Sequence, residues 1–109
     1  MTGVPEGAAA VAAYVPDLMD RSKVAAAFPG TRFVGHPAEL AELVDAAGDV
    51  DLVIVDLGRP GVLDVVASLG PRVVGFASHV DEETLEAARA AGVDDALARS
   101  VFFRRLPDL

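Results

Sequence analysis

The stretch Asp51-Leu-Val-Ile-Val-Asp56-Leu-Gly-Arg-Pro60-Gly61 limits the fold more than any other part of the chain. Leu52 to Val55 is an unbroken apolar run rich in β-branched side chains. Such a run reads as a strand buried on both faces, as in a parallel sheet lying between helix layers. It closes on a carboxylate, Asp56, followed by a turn whose Pro60 suits the first turn of a helix. In open α/β sheets, ligands bind beyond the carboxyl ends of the strands. Asp56 is therefore either a site residue or a side chain that caps the next helix.

The remaining segments alternate in the same way. Ala9 to Val15 reads as a first strand, stopped at Pro16-Asp17. Leu18 to Phe28 has helical spacing, with Leu18, Val24 and Phe28 as its apolar positions. Thr31 to Val34 is a short second strand, and Ala38 to Ala47 a helix with Leu40, Leu43 and Val44 on one face and Gly48 as its stop. After the Leu52–Val55 strand come a short helix over Gly61–Leu69 and a fourth strand over Arg72–Phe76. Asp81 to Ala91 is the clearest helix, with Asp81, Glu82 and Glu83 in its first turn complementing the dipole. Asp95 to Arg99 reads as a fifth strand and Val101 to Leu106 as a last short helix. The pattern is a single-domain (βα)5 unit spanning residues 1–109, an α/β flavodoxin-like parallel sheet of order 2-1-3-4-5. No G-x-G-x-x-G follows the first strand, which argues against a dinucleotide fold.

Composition removes several function classes. The chain has 109 residues and a net charge of −8, so it does not suit the nucleic-acid backbone or an anionic membrane surface. Without cysteine it has no disulfides, thiolate zinc site or thiol chemistry. Met1 to Ala10 lacks the basic region and apolar length of a secretion signal or membrane span, so a cytoplasmic protein is expected. The histidines, His36 and His79, stand apart, and no G-x-S-x-G elbow occurs, so neither zinc nor hydrolase chemistry has support. An enzyme is not expected.

The segment Asp56-Leu-Gly-Arg-Pro60-Gly61 fits the pattern D-x-x-x-P-G, and Ala87-Ala88-Arg89-Ala90-Ala91-Gly92-Val93-Asp94-Asp95 follows at a matching distance. On these blocks the chain resembles the receiver domain of response regulators. The resemblance implies Asp56 as phosphoacceptor, with Gly58 offering its carbonyl to Mg²⁺ and Asp17 as the acid after the first strand. Asp17, Asp56 and Gly58 would then form the metal set, with Ser78, His79 and Arg99 as pocket neighbours. The chain departs from the family at three supporting positions. Only one of the two acids expected directly after the first strand is present, as Pro16-Asp17. The family's lysine falls on Arg99, without its following proline, and the switch hydroxyl falls on Ala77 unless a one-residue shift brings in Ser78. Arginine keeps the charge of lysine but not its point-charge geometry. These departures imply a degenerate receiver, or pseudo-receiver, with an Asp56 pocket poorly suited to phosphorylation.

Each candidate residue also has a plainer role. Asp17 precedes Leu18-Met19-Asp20 and reads as a helix N-cap with an acid three residues on, close to a capping box. Arg99 is expected to pair with Asp56, because a buried carboxylate without a partner is costly. His79 suits a phosphate contact, a gate or a partner contact, and more plainly an exposed loop near a helix N-terminus. The C-terminal Val101-Phe-Phe-Arg-Arg-Leu106 places Phe102, Phe103, Arg104 and Leu106 on a short helix. If that helix leaves the sheet uncovered, these residues form an interface for a protein partner or a second copy. The alternative is that Phe102 and Leu106 fill the core while Phe103 stays on the surface. The expected role is a stand-alone receiver-like signalling protein acting by contact. A working Mg²⁺-dependent phosphoacceptor and a small-ligand binder using Gly58, Gly61 and Ser78 are the competing readings.

Overall fold

The computed structural model describes residues 10–109; the expected strand residue Ala9 and most of the Met1–Ala10 segment lie outside them. Five parallel strands pair in the order β2-β1-β3-β4-β5, the flavodoxin-like arrangement. The strands are β1 (Val11–Tyr14), β2 (Arg32–Phe33), β3 (Leu52–Asp56), β4 (Arg72–Ala77) and β5 (Asp95–Ala98). The helices are α1 (Leu18–Ala27), α2 (Ala38–Ala47), α3 (Val62–Val66), α4 (Glu82–Ala90) and α5 (Arg99–Arg105), and a 3-10 turn over Leu106–Asp108 ends the chain.

β3 lies at the centre because its side chains are apolar on both faces: Val53 and Val55 point to one layer, Leu52 and Ile54 to the other. Against the first layer pack Leu40 of α2, Val62 and Val66 of α3, and Leu85 and Ala88 of α4. Against the second pack Val24 of α1, Phe102 of α5 and Leu106. Small residues at the centre of the sheet, Ala12 and Ala13, are fully buried and let the helices approach closely.

Several elements differ in length from the sequence reading, each for a local reason. β2 keeps only two residues, because beyond Val34 the N–H groups of Gly35 and His36 turn to the Glu39 carboxylate that opens α2. α3 stops at Val66, and the Ser68 hydroxyl donates to the Val65 carbonyl just before Gly70-Pro71. Arg99 starts α5 rather than ending β5, so helix follows strand with no intervening loop.

The inward face of α1 also corrects the sequence reading. Leu18 is exposed, not part of the core, while Asp20 is 1% accessible and shares the buried face with Val24. Spacing i, i+4 puts these two side chains on one face. The position nearest the sheet mouth has gone to a carboxylate because a cation from α5 meets it there, as described below.

Candidate functional site

The carboxyl ends of β1, β3, β4 and β5 lie along one edge of the sheet, and the sequence-chosen residues gather there. Asp56 is the last residue of β3, opposite Phe76 in the β3–β4 register. The next residue holds the turn in place: the Leu57 N–H donates to the Phe76 carbonyl at 2.8 Å, and its side chain is buried against Gly75. A Cβ at Gly75 would lie 2.6 Å from Leu57 Cγ, so only glycine leaves room for this packing.

Both oxygens of Asp56 are engaged within its own turn. Oδ1 accepts from the Gly58 N–H at 3.0 Å, and Oδ2 pairs with Arg59 Nε at 3.3 Å. The expected Arg99–Asp56 contact is therefore corrected: the guanidinium on Asp56 belongs to Arg59, three residues away. Gly58 meets the carboxylate through its N–H.

Arg99 instead ion-pairs with Asp20, joining the start of α5 to the first turn of α1. Its guanidinium also lies over the rings of Phe76 and Phe103, 5.5 and 5.1 Å from their centroids. Aromatic faces attract such a cation. The hydrogen bond to Asp20 holds the Arg99 pKa above its usual value against the opposing effect of burial, and the charges of Asp20, Asp56 and Asp17 act in the same direction. Arg99 thus stays charged among three carboxylates while touching one.

Asp17 caps α1. Its Oδ1 accepts from the N–H groups of Met19 and Asp20 at 2.9 and 3.0 Å, satisfying donors that a helix start leaves open. The second arm of the capping box is not made, because Asp20 points inward to Arg99. The backbone bond from Asp20 is the main cause holding Asp17 below its ordinary value of 3.8; desolvation opposes it, and the bond from Met19 and the charges of Arg99 and Arg59 reinforce it. A carboxyl lowered in the folded state adds stability above its unfolded pKa and loses it as pH falls through the folded value. Asp17→Asn keeps a capping oxygen and removes the charge. In urea melts across pH, the wild-type advantage over Asp17→Asn is expected to be constant near neutrality and to disappear below pH 3.8.

The other candidates lie at the rim. Ala77 closes β4 and is buried; Ser78 is the first loop residue, and its hydroxyl accepts from the Val80 N–H at 3.4 Å. His79 is exposed in the same loop, with no hydrogen bond or ion pair among the described residues. Among the described residues, no three His, Cys, Asp or Glu side chains converge on one point. Mg²⁺ takes one or two carboxylates in near-octahedral geometry. Asp56 is held by Arg59 and Oδ1 of Asp17 caps its helix, so a divalent cation between them would have to displace Arg59 from Asp56.

Two interface candidates are also corrected. Phe102 is fully buried and Leu106 nearly so, both inside the α1–α5 layer. Phe102 stacks on Phe76 at 4.6 Å and meets Phe103 edge-on at 4.8 Å. Phe103 is half-buried at the edge of this cluster, and Arg104 is exposed.

Sequence reasoning missed Asp20 and Arg59. Asp20 was legible as the polar member of the Val24 face, four residues before it. Arg59 was legible as a cation within the turn that follows Asp56.

No family model matches the sequence, and no curated protein does so. Among solved structures, the fold resembles a candidate pilus assembly-related protein from Burkholderia pseudomallei. The match has a TM-score of 0.70 at 20% identity and covers 99% of this chain and 90% of that one. At that identity the likeness concerns the fold.

Proposed function

We propose that the chain is a receiver-like signalling domain, not an enzyme, that works through protein contacts, two of the three carboxylates of its acidic pocket being paired with its own arginines. The observation carrying this reading is the pairing of Arg59 with Asp56 and of Arg99 with Asp20. Phosphoryl acceptance needs an unencumbered carboxylate beside a divalent cation that offsets the incoming charge. Here guanidinium groups take that place, and Oδ1 of Asp17 caps α1. The receiver-like strand order and the D-x-x-x-P-G match support descent from a phosphoacceptor. The Burkholderia protein's name refers to pilus assembly, and a role in organising an assembly by contact is compatible with this chain's fold.

The competing phosphoacceptor reading draws on the position of Asp56 at the end of β3 and requires Arg59 to leave it. Titrating the full chain with Mg²⁺ and beryllofluoride while recording amide shifts separates the two. The expected result is no saturable shift at Asp56, Leu57 or Gly58 in the wild type. A saturable response centred on Asp56 would overturn the proposal. A small-anion ligand has weaker support, because Asp17 and Asp56 both face the mouth.

A further inference from the structure

We infer that this chain associates head to tail with copies of itself, the α1–α5 face of one copy receiving α4 of the next. The inference deepens the contact-based reading above by naming the partner, and rests on it only in that respect.

α1 is turned inside out at its first turn. Leu18 and Met19 are each 74% exposed while Asp20 is buried. Further along, Met19, Ser22, Lys23 and Ala26 form an exposed stripe at helical spacing that contains no acid. The stripe runs into a shallow groove where Ala26, Ala27 and Lys23 of α1 face Phe103, Leu106 and Pro107. A helix face carrying Leu, Met and alanines toward solvent is built for contact rather than for hydration.

Three of the five cations on this face make neither an ion pair nor a hydrogen bond to a carbonyl among the described residues. Arg32, Arg59, Arg72 and Arg99 are ion-paired within the chain. Arg21 and Arg89 donate to the carbonyls of Val15 and Ala96. Lys23, Arg104 and Arg105 have no carboxylate or carbonyl partner among the described residues, and all three belong to α1 and α5. Lys23 lies over the Phe103 ring at 4.9 Å, at the edge of the groove.

The complement is carried by the same chain. α4 exposes Glu83, Glu86, Ala87 and Ala90 at the same spacing as the α1 stripe, with Glu82 beside them. Two glutamates meet the cationic rim, and two alanines allow close approach to Met19, Ala26 and the groove. α4 lies on the opposite side of the sheet from α1 and α5. One copy can therefore use both faces at once, which makes the contact heterologous and lets the assembly extend. A twofold pairing of the α1–α5 face with itself would bring Lys23, Arg104 and Arg105 toward their own counterparts, and like charges disfavour it.

Sedimentation velocity of the full chain over a concentration series tests this. Average mass is expected to grow past the dimer with concentration and to fall as salt rises, since screening shortens the reach of exposed charges. Lys23→Glu/Arg104→Glu and Glu83→Lys/Glu86→Lys change only exposed side chains, and circular dichroism checks that both fold. Each is expected to weaken self-association about tenfold or more, a typical cost of juxtaposed like charges. Mixed in equal amounts, the two variants have opposite faces again and are expected to recover association. A wild type that stays monomeric overturns the inference, whether or not it binds anionic vesicles or a foreign acidic protein. So does a dimer that does not grow and ignores the Glu83/Glu86 change. Because none of these variants touches Asp56, a failure here is separate from a beryllofluoride response, which bears only on the pocket.

Discussion

Replacing Arg99 with alanine is expected to destabilise the fold by about 2–3 kcal/mol, measured as a drop in the urea midpoint at unchanged slope. The loss comes mainly from Asp20. Its carboxylate is buried beneath α1 and has Arg99 as its cationic partner, so the substitution leaves a buried charge unmatched. The figure is set below the range of about 3–5 kcal/mol for broken buried pairs because the Arg99 side chain is 46% accessible and part of its attraction is screened. The rings of Phe76 and Phe103 also lose the cation that lies over them. Adding Asp20→Leu to the Arg99→Ala variant is expected to restore most of the loss, because the inward position then suits its neighbour Val24. If the double variant is no more stable than Arg99→Ala alone, the cost lies in the aromatic contacts and not in the carboxylate.

Phe102→Ala should cost more, about 3–5 kcal/mol, the range for deleting a fully buried aromatic side chain. A domain of this size has a total stability of roughly 5–15 kcal/mol, so the variant should show a marked fall in melting temperature or fail to fold. Phe102 is enclosed by Phe76 and Phe103 and packs in the same layer as Val24 and Leu106, so its removal opens a cavity between sheet and helices. Phe102→Leu retains most of the volume and is expected to lose clearly less. Phe103→Ala, at the half-buried edge, should also be milder. Equal losses at Phe102 and Phe103 would show that the cluster is not organised around the inner ring.

The strand order was legible because its signal is strong and local. The apolar run of β3, the short connections and the alternation of helical and strand spacing all point to a parallel sheet with helices on both faces. Asp56 was legible for the same reason, as the polar end of a buried strand. The partners of the acids were not. Formal charge identifies Arg99 as a cation near the mouth, but burial decides which carboxylate most needs it, and burial follows from the rotation of α1. A sequence pattern treats Asp20 as the second half of a capping box; in the fold that rotation gives it to the interior. The C-terminal segment was misjudged through length. A helix read as Val101–Leu106 is too short to cover the sheet only if it begins late. Because α5 starts directly at Arg99 and a 3-10 turn continues it to Asp108, Phe102 and Leu106 reach the core.

The two-residue β2 has a consequence for how copies of this chain can join. It forms one flank of the sheet, and its Arg32 is tied to Asp49 at 3.0 Å. So short a margin offers few free amide and carbonyl groups for an incoming strand to zip onto, and a charged side chain guards it. Lateral growth by strand addition is thereby discouraged on that flank, and the molecule can expose Leu18 and Met19 on α1 without also inviting fibrous aggregation there.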